Sequence, residues 1–125
     1  MDLSTAAPAV SVLIVEDSAD QRLLLRRYFE RAGCLVETVT SGEDAMNVLD
    51  PLQPDLIVID LMLPGMDGWS LVDRIRAERP GSAIAITSVL DTVDYPDADA
   101  VLPKPVTGDD VRRILRDTVP HWVEP

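Results

Sequence analysis

The sequence predicts a doubly wound α/β fold: one five-stranded parallel sheet with helices on both faces. Two observations predict it. Short β-branched runs alternate with amphipathic segments along nearly the whole chain, which is the order of a parallel sheet wound by helices. The middles of most of the short runs are continuously apolar, as strands are when both faces of the sheet are covered. The chain has 125 residues and is 46% hydrophobic. That suits one domain with one substantial core.

Residues 1–10 are small, Ala- and Pro-bearing and unpatterned, and are expected to be a flexible tail. The first strand is "SVLIVE" (11–16). A helix follows over 18–32, because Leu24, Leu25, Tyr28, Phe29 and Ala32 recur at steps of three and four. Ser18 with Gln21 has capping-box spacing, and Gly33 stands where a helix C-cap glycine belongs. The second strand is "CLVETV" (34–39). Ser41 with Asp44 opens a short helix through Leu49, with Pro51 expected to stop it. "DLIVID" (55–60) is the third strand. Leu71, Val72 and Ile75 form the apolar side of a helix over 68–79, ended by Pro80-Gly81. "SAIAIT" (82–87) and "DAVLP" (99–103) are the last two strands. Thr107 with Asp110 opens a last helix with Val111, Ile114, Leu115 and Val119 inside, ended by Pro120. The domain is thus expected over 11–119, with 120–125 as a C-terminal tail.

Composition narrows the function. The formal net charge is -11. An acidic chain does not suit non-specific nucleic-acid binding, nor a polybasic membrane surface. One cysteine, Cys34, is present and cannot form an internal disulfide; its apolar neighbours suggest a buried, inert thiol. No basic n-region opens the chain and no apolar run has the length of a membrane span. A soluble cytoplasmic protein is expected.

In such folds ligands sit at the carboxyl ends of the strands. Strand one ends in Glu16-Asp17, strand three in Asp60, strand four in Thr87-Ser88, and strand five near Lys104. Three carboxylates therefore meet at one edge with one ammonium and two hydroxyls. Like charges so close repel, and a divalent cation relieves them. Oxygen ligands without His or Cys select Mg²⁺ or a similar ion such as Mn²⁺. These are parts for phosphoryl transfer to a carboxylate. Asp60, alone at the centre of the sheet, is the nucleophile candidate. Glu16 and Asp17 are the metal-holding candidates.

The pieces "VLIVEDS" (12–18), "SGEDAM" (41–46), "PDLIVIDLMLPGMDGWSLVDRIR" (54–76), "AIT" (85–87) and "LPKP" (102–105) together resemble the receiver domain of two-component response regulators. The resemblance covers about residues 11–119. It implies the flavodoxin-like strand order 2-1-3-4-5. It implies that Asp60 is the phosphoacceptor, charged from a histidine kinase or a histidine phosphotransfer protein. It further implies Mg²⁺ held by Asp17, Glu16, Asp60 and the backbone carbonyl of Met62. Thr87 and Lys104 match the residues that engage the phosphoryl group. Thr87, Ser88 and Val101 occupy the switch positions, and Ser88 is small enough to admit phosphate. Lys104-Pro105 matches a bond that is cis in the family. Pro64, Gly65 and Gly68 shape the loop after Asp60 and start the next helix.

Two departures stand out. Val101 replaces the Tyr or Phe usual three residues before the lysine. The segment "SVLDTVDYPDADAVLP" (88–103) is shorter than the family pattern, and its Asp94-Tyr95-Pro96-Asp97 is turn-like. The helix between strands four and five is therefore expected to be short or irregular. Three functions compete. A phosphorylatable receiver, not a turnover enzyme, leads; with only "VPHWVEP" after the last helix, it is expected to be a single-domain regulator or an isolated receiver with an unknown output partner. A phosphorylation-independent interaction module is the alternative. A Mg²⁺-dependent phosphatase would want a second acid at position 62, where Met62 stands. Asp67 reads as a helix cap, His121 as an exposed residue of the tail, and Trp69 as a partly packed neighbour of the site.

Overall fold

Five strands form one parallel sheet: β1 (Ser11–Val15), β2 (Leu35–Val39), β3 (Leu56–Asp60), β4 (Ala83–Ser88) and β5 (Ala100–Pro103). Their order is β2-β1-β3-β4-β5, the expected one. Four helices are seen among the described residues: α1 (Ala19–Arg31), α2 (Gly42–Leu52), α3 (Gly68–Glu78) and α4 (Gly108–Thr118). The structure is a computed structural model, and it describes residues 9–63, 65, 67–88 and 98–125. The short or irregular helix expected between β4 and β5 falls on 89–97, outside the described residues, and Tyr95 with it.

The apolar runs work because a strand turns alternate side chains to opposite faces. Val12, Ile14, Leu56, Val58, Ala85 and Leu102 face one way, against Leu25 and Phe29 of α1 and Val111, Ile114 and Leu115 of α4. Leu13, Val15, Ile57, Ile59, Ile84 and Ile86 face the other way, against Ala45 and Leu49 of α2 and Leu71, Val72 and Ile75 of α3. The sheet is thus sandwiched, and β3 at its centre is buried along its full length. β2 is an edge strand, and its Leu35 is exposed.

The helix ends follow local chemistry. Ser18, Ser41, Asp67 and Thr107 each accept a backbone N–H three residues on, from Gln21, Asp44, Ser70 and Asp110. Only Thr107–Asp110 closes both halves of a capping box. α1 ends in a Schellman arrangement. Gly33 takes φ +87, its N–H reaches Glu30 O at 3.0 Å, and the Cys34 N–H reaches Phe29 O at 3.1 Å.

α2 corrects the sequence reading, because it runs through Pro51 to Leu52 instead of stopping before the proline. The ring's fixed φ suits a helix, and in the last turn the missing N–H forfeits a single bond. Gln53 then closes the helix in the left-handed region, φ 47, with its N–H on Leu49 O at 2.8 Å.

Val10 is buried, and its carbonyl accepts the Leu35 N–H at 2.8 Å. Residues after α4 lie against α1 and α4. The Trp122 indole donates to Ala32 O at 2.8 Å, and Glu124 approaches Arg112 and Arg116 at 3.5 and 3.6 Å. His121 is half-exposed, 3.7 Å from Asp55.

Cys34 is buried, as expected. Burial, with the nearby Asp55 charge, pushes its thiol up to about 11. At mildly alkaline pH an alkylating reagent should therefore leave the folded chain unlabelled and label it fully in denaturant. Labelling of the folded chain at the denatured rate, read by mass, would contradict this.

Candidate functional site

The strand order brings the candidate residues together. The order reverses between β1 and β3, so their carboxyl ends are neighbours at a topological switch point. Val15 pairs with Ile59, which sets Glu16 beside Asp60. Asp60 pairs with Thr87, and Thr87 with Leu102, two residues before Lys104.

Lys104 spans the site. Its Nζ donates to Asp60 Oδ2 at 2.8 Å and to Glu16 Oε1 at 2.9 Å. The second oxygen of each carboxylate takes a backbone N–H: Met62 N to Asp60 Oδ1 at 2.9 Å, and Ser18 N to Glu16 Oε2 at 3.1 Å. Both carboxylates are buried, Glu16 at 1% exposed and Asp60 at 4%. Burial pushes the Glu16 carboxyl above its usual range, against the pull of the hydrogen bonds from Lys104 and Ser18. Burial would lower Lys104, but its hydrogen bonds to Asp60 and Glu16 and their charges outweigh it and raise it. The ammonium is thereby kept charged.

Asp17 is exposed at the rim. One oxygen from each of Glu16, Asp17 and Asp60 lies within 4.8 Å of the others. Thr87 is fully buried, and its Oγ1 has no hydrogen-bond partner among the described residues. An orphaned buried hydroxyl is costly unless something comes to meet it. An all-oxygen acidic cluster beside it fits Mg²⁺ and a phosphoryl group.

The remaining candidates sit as follows. Met62 follows the site in the loop after β3, with an exposed side chain. Ser88 ends β4 and pairs with Pro103; its side chain lies outside the described residues. Val101 is half-buried in β5 and pairs with Ile86. Lys104-Pro105 is cis. Asp67 is the N-cap of α3, as expected, and its hydrogen bond from the Ser70 N–H holds it below the usual carboxylate range. Trp69 at the start of α3 is 37% exposed. Gly65 takes φ +80, where glycine alone is comfortable, and Pro64 lies outside the described residues. Sequence reasoning did not single out Arg22. Its Nη1 donates to the carbonyls of Glu16 and Asp17 at 3.0 and 3.1 Å.

Residues 12–116 match the family model for the response regulator receiver domain. The chain belongs to that family. The receiver is 39% identical over 103 residues to the transcriptional regulatory protein AfsQ1 of Streptomyces coelicolor, covering 78% of this chain and 46% of that protein. It is 32% identical over 124 residues to a protein-glutamate methylesterase/protein-glutamine glutaminase of Anaeromyxobacter dehalogenans, covering 93% of this chain and 35% of that protein. The receiver thus spans less than half the length of these curated relatives. Among solved structures, a CheY-like receiver domain from Methylobacillus flagellatus superposes with a TM-score of 0.80 at 28% identity, covering 87% of this chain and 98% of that one. Chemotaxis response regulator CheY4 of Vibrio cholerae, at 22% identity and a TM-score of 0.81, shares the fold, covering 90% of this chain and all of that one. No helix among the described residues of the receiver is long and apolar enough to cross a membrane.

Proposed function

We propose that this receiver accepts a phosphoryl group on Asp60 from a phosphohistidine, on a histidine kinase or a phosphotransfer protein, and that the modified chain switches partner binding or passes the group on. The observation that carries the reading is the Lys104 ammonium bridging Asp60 and Glu16 beside the orphaned Thr87 hydroxyl. A carboxylate oxygen of Asp60 attacks phosphorus and forms the P–O bond. The P–N bond breaks, and its electron pair returns to the donor imidazole. Lys104 and Thr87 are the chain's own groups for meeting the charge and lone pairs of the phosphoryl oxygens. The Met62 N–H holds the carboxylate oriented. Glu16, Asp17, Asp60 and the carbonyl of Met62 are the groups that would hold Mg²⁺. Bound there, Mg²⁺ would supply positive charge to the phosphoryl oxygens. The reading is of a phosphoacceptor rather than a turnover enzyme. Val101 makes the switch atypical, since no ring stands at that position to change place.

The test is intact mass after incubation with Mg²⁺ and a small acyl phosphate. One phosphoryl adduct is expected, absent in Asp60→Asn and absent with chelator. If neither the acyl phosphate nor a cognate kinase modifies the wild type, the reading fails. The phosphorylation-independent interaction module, which Val101 favours, would replace it.

A further inference from the structure

We propose that Arg22 is a positioning residue for the cation site, acting through the main chain between β1 and α1. The proposal rests on the metal-binding role given above to Glu16 and Asp17. Arg22 stands in the first turn of α1, where a positive charge opposes the helix dipole. Its side chain runs back toward the helix N-terminus, as helical side chains do. The guanidinium then donates from one nitrogen to two successive carbonyls, Glu16 O and Asp17 O. Among the described residues it has no carboxylate partner, so the loop carbonyls are what it holds.

The three acids are unequally restrained. Glu16 is tied by Lys104 and the Ser18 N–H, and Asp60 by Lys104 and the Met62 N–H. The exposed Asp17 carboxylate has no such tie among the described residues. The orientation of its peptide is what aims it into the site, and Arg22 is the side chain that fixes that peptide. Lysine should reproduce the hold only in part, because its ammonium turns freely on a flexible stem, whereas the two N–H groups of Nη1 are fixed in the guanidinium plane.

The test is Mn²⁺ affinity of the purified chain, read from the free-ion signal in electron paramagnetic resonance, beside melting of the metal-free protein. Arg22→Met keeps most of the stem and should weaken Mn²⁺ binding roughly tenfold, the low end of what outer-shell partners contribute. Arg22→Lys should recover only part of it. Arg26→Met, one turn along at the exposed pair with Glu30, should bind as wild type. Wild-type affinity in Arg22→Met overturns the proposal, even if its melting temperature falls, because the residue would then be structural only. If Arg22→Met does not fold, Arg22→Lys alone decides: wild-type affinity overturns the proposal and weakened affinity supports it. If the wild type binds no Mn²⁺, the cation site itself fails and this proposal with it.

Discussion

Lys104→Met should destabilise the metal-free protein by about 3 kcal/mol at neutral pH, with much of the deficit disappearing on acidification. Removing one partner of a buried ion pair leaves the other charged group stranded, at a cost of roughly 3–5 kcal/mol. Here two carboxylates are stranded together. Glu16 and Asp60 are 1% and 4% exposed, and Lys104 is the cation that both accept from. The Lys104 side chain keeps 15% exposure, so water reaches the gap and the low end applies. The pH dependence follows from Glu16. Its folded pKa already lies above the ordinary 4.5, and losing the ammonium raises it further. A carboxyl whose folded pKa is raised contributes stability below its unfolded value and loses it as pH rises through the folded one. The variant should therefore approach wild type near pH 4.5 and fall away toward neutrality. Urea unfolding at both pH values measures this, and added Mg²⁺ should recover part of the neutral-pH loss. An equal deficit at both pH values would mean that the lysine stem is packing, and that its charge is not what the site needs. The phosphoryl adduct should also form far more slowly in this variant, because the transferring group loses its ammonium.

Much of the site was legible because charge at the end of an apolar strand is anomalous. Asp60 closing "LIVID" and Glu16 closing "SVLIV" stand out for the same reason: nothing in the core wants them. Thr87 and Lys104 are less anomalous as residues, and it is the alternating strand and helix order that predicts they share an edge with the acids. The caps at Ser18, Ser41, Asp67 and Thr107 were legible because capping is local, decided within four residues. What escaped the sequence depends on side-chain direction or on close approach. An arginine in a first helical turn does not announce which carbonyls it will reach, so Arg22 passed unnoticed. In the sequence Pro51 reads as a stop, because proline breaks helix interiors; a final turn tolerates it, and only the tertiary end of α2 says which applies. The restraint on each carboxylate oxygen, one from Lys104 and one from a backbone N–H, needs coordinates.

Gly68→Ala should destabilise the protein by about 3 kcal/mol and slow phosphorylation of Asp60, although the atoms nearest to an added Cβ all belong to Leu61. Gly68 opens α3 directly after its cap, Asp67. Its N–H reaches Leu61 O at 3.3 Å, where the chain has just left β3. A Cβ at this position would lie 2.5 Å from Leu61 Cα and 2.8 Å from Leu61 Cδ2. The first of these atoms is backbone and cannot swing aside. The start of α3 must therefore move away from the end of β3, or Leu61 must move. Leu61 is buried, next in chain to Asp60, and followed by Met62, whose N–H orients the Asp60 carboxylate. Overpacking of this kind typically costs about 1–3 kcal/mol, and a clash with main chain belongs at the upper end. Gly81→Ala is the matched control. Among the described residues nothing lies within 4 Å of its added Cβ, and its φ lies outside the left-handed region. That change should stay within about 0.5 kcal/mol of wild type, or stabilise slightly by restricting the unfolded chain. Urea midpoints for both variants, beside initial rates of adduct formation by mass, separate the two effects. If Gly68→Ala is as benign as Gly81→Ala, α3 does not press on Leu61. If it unfolds more easily yet phosphorylates at the wild-type rate, the contact supports the fold without holding the carboxylate in place. Loss of both would tie the packing of α3 to the orientation of Asp60, through the two residues that follow it.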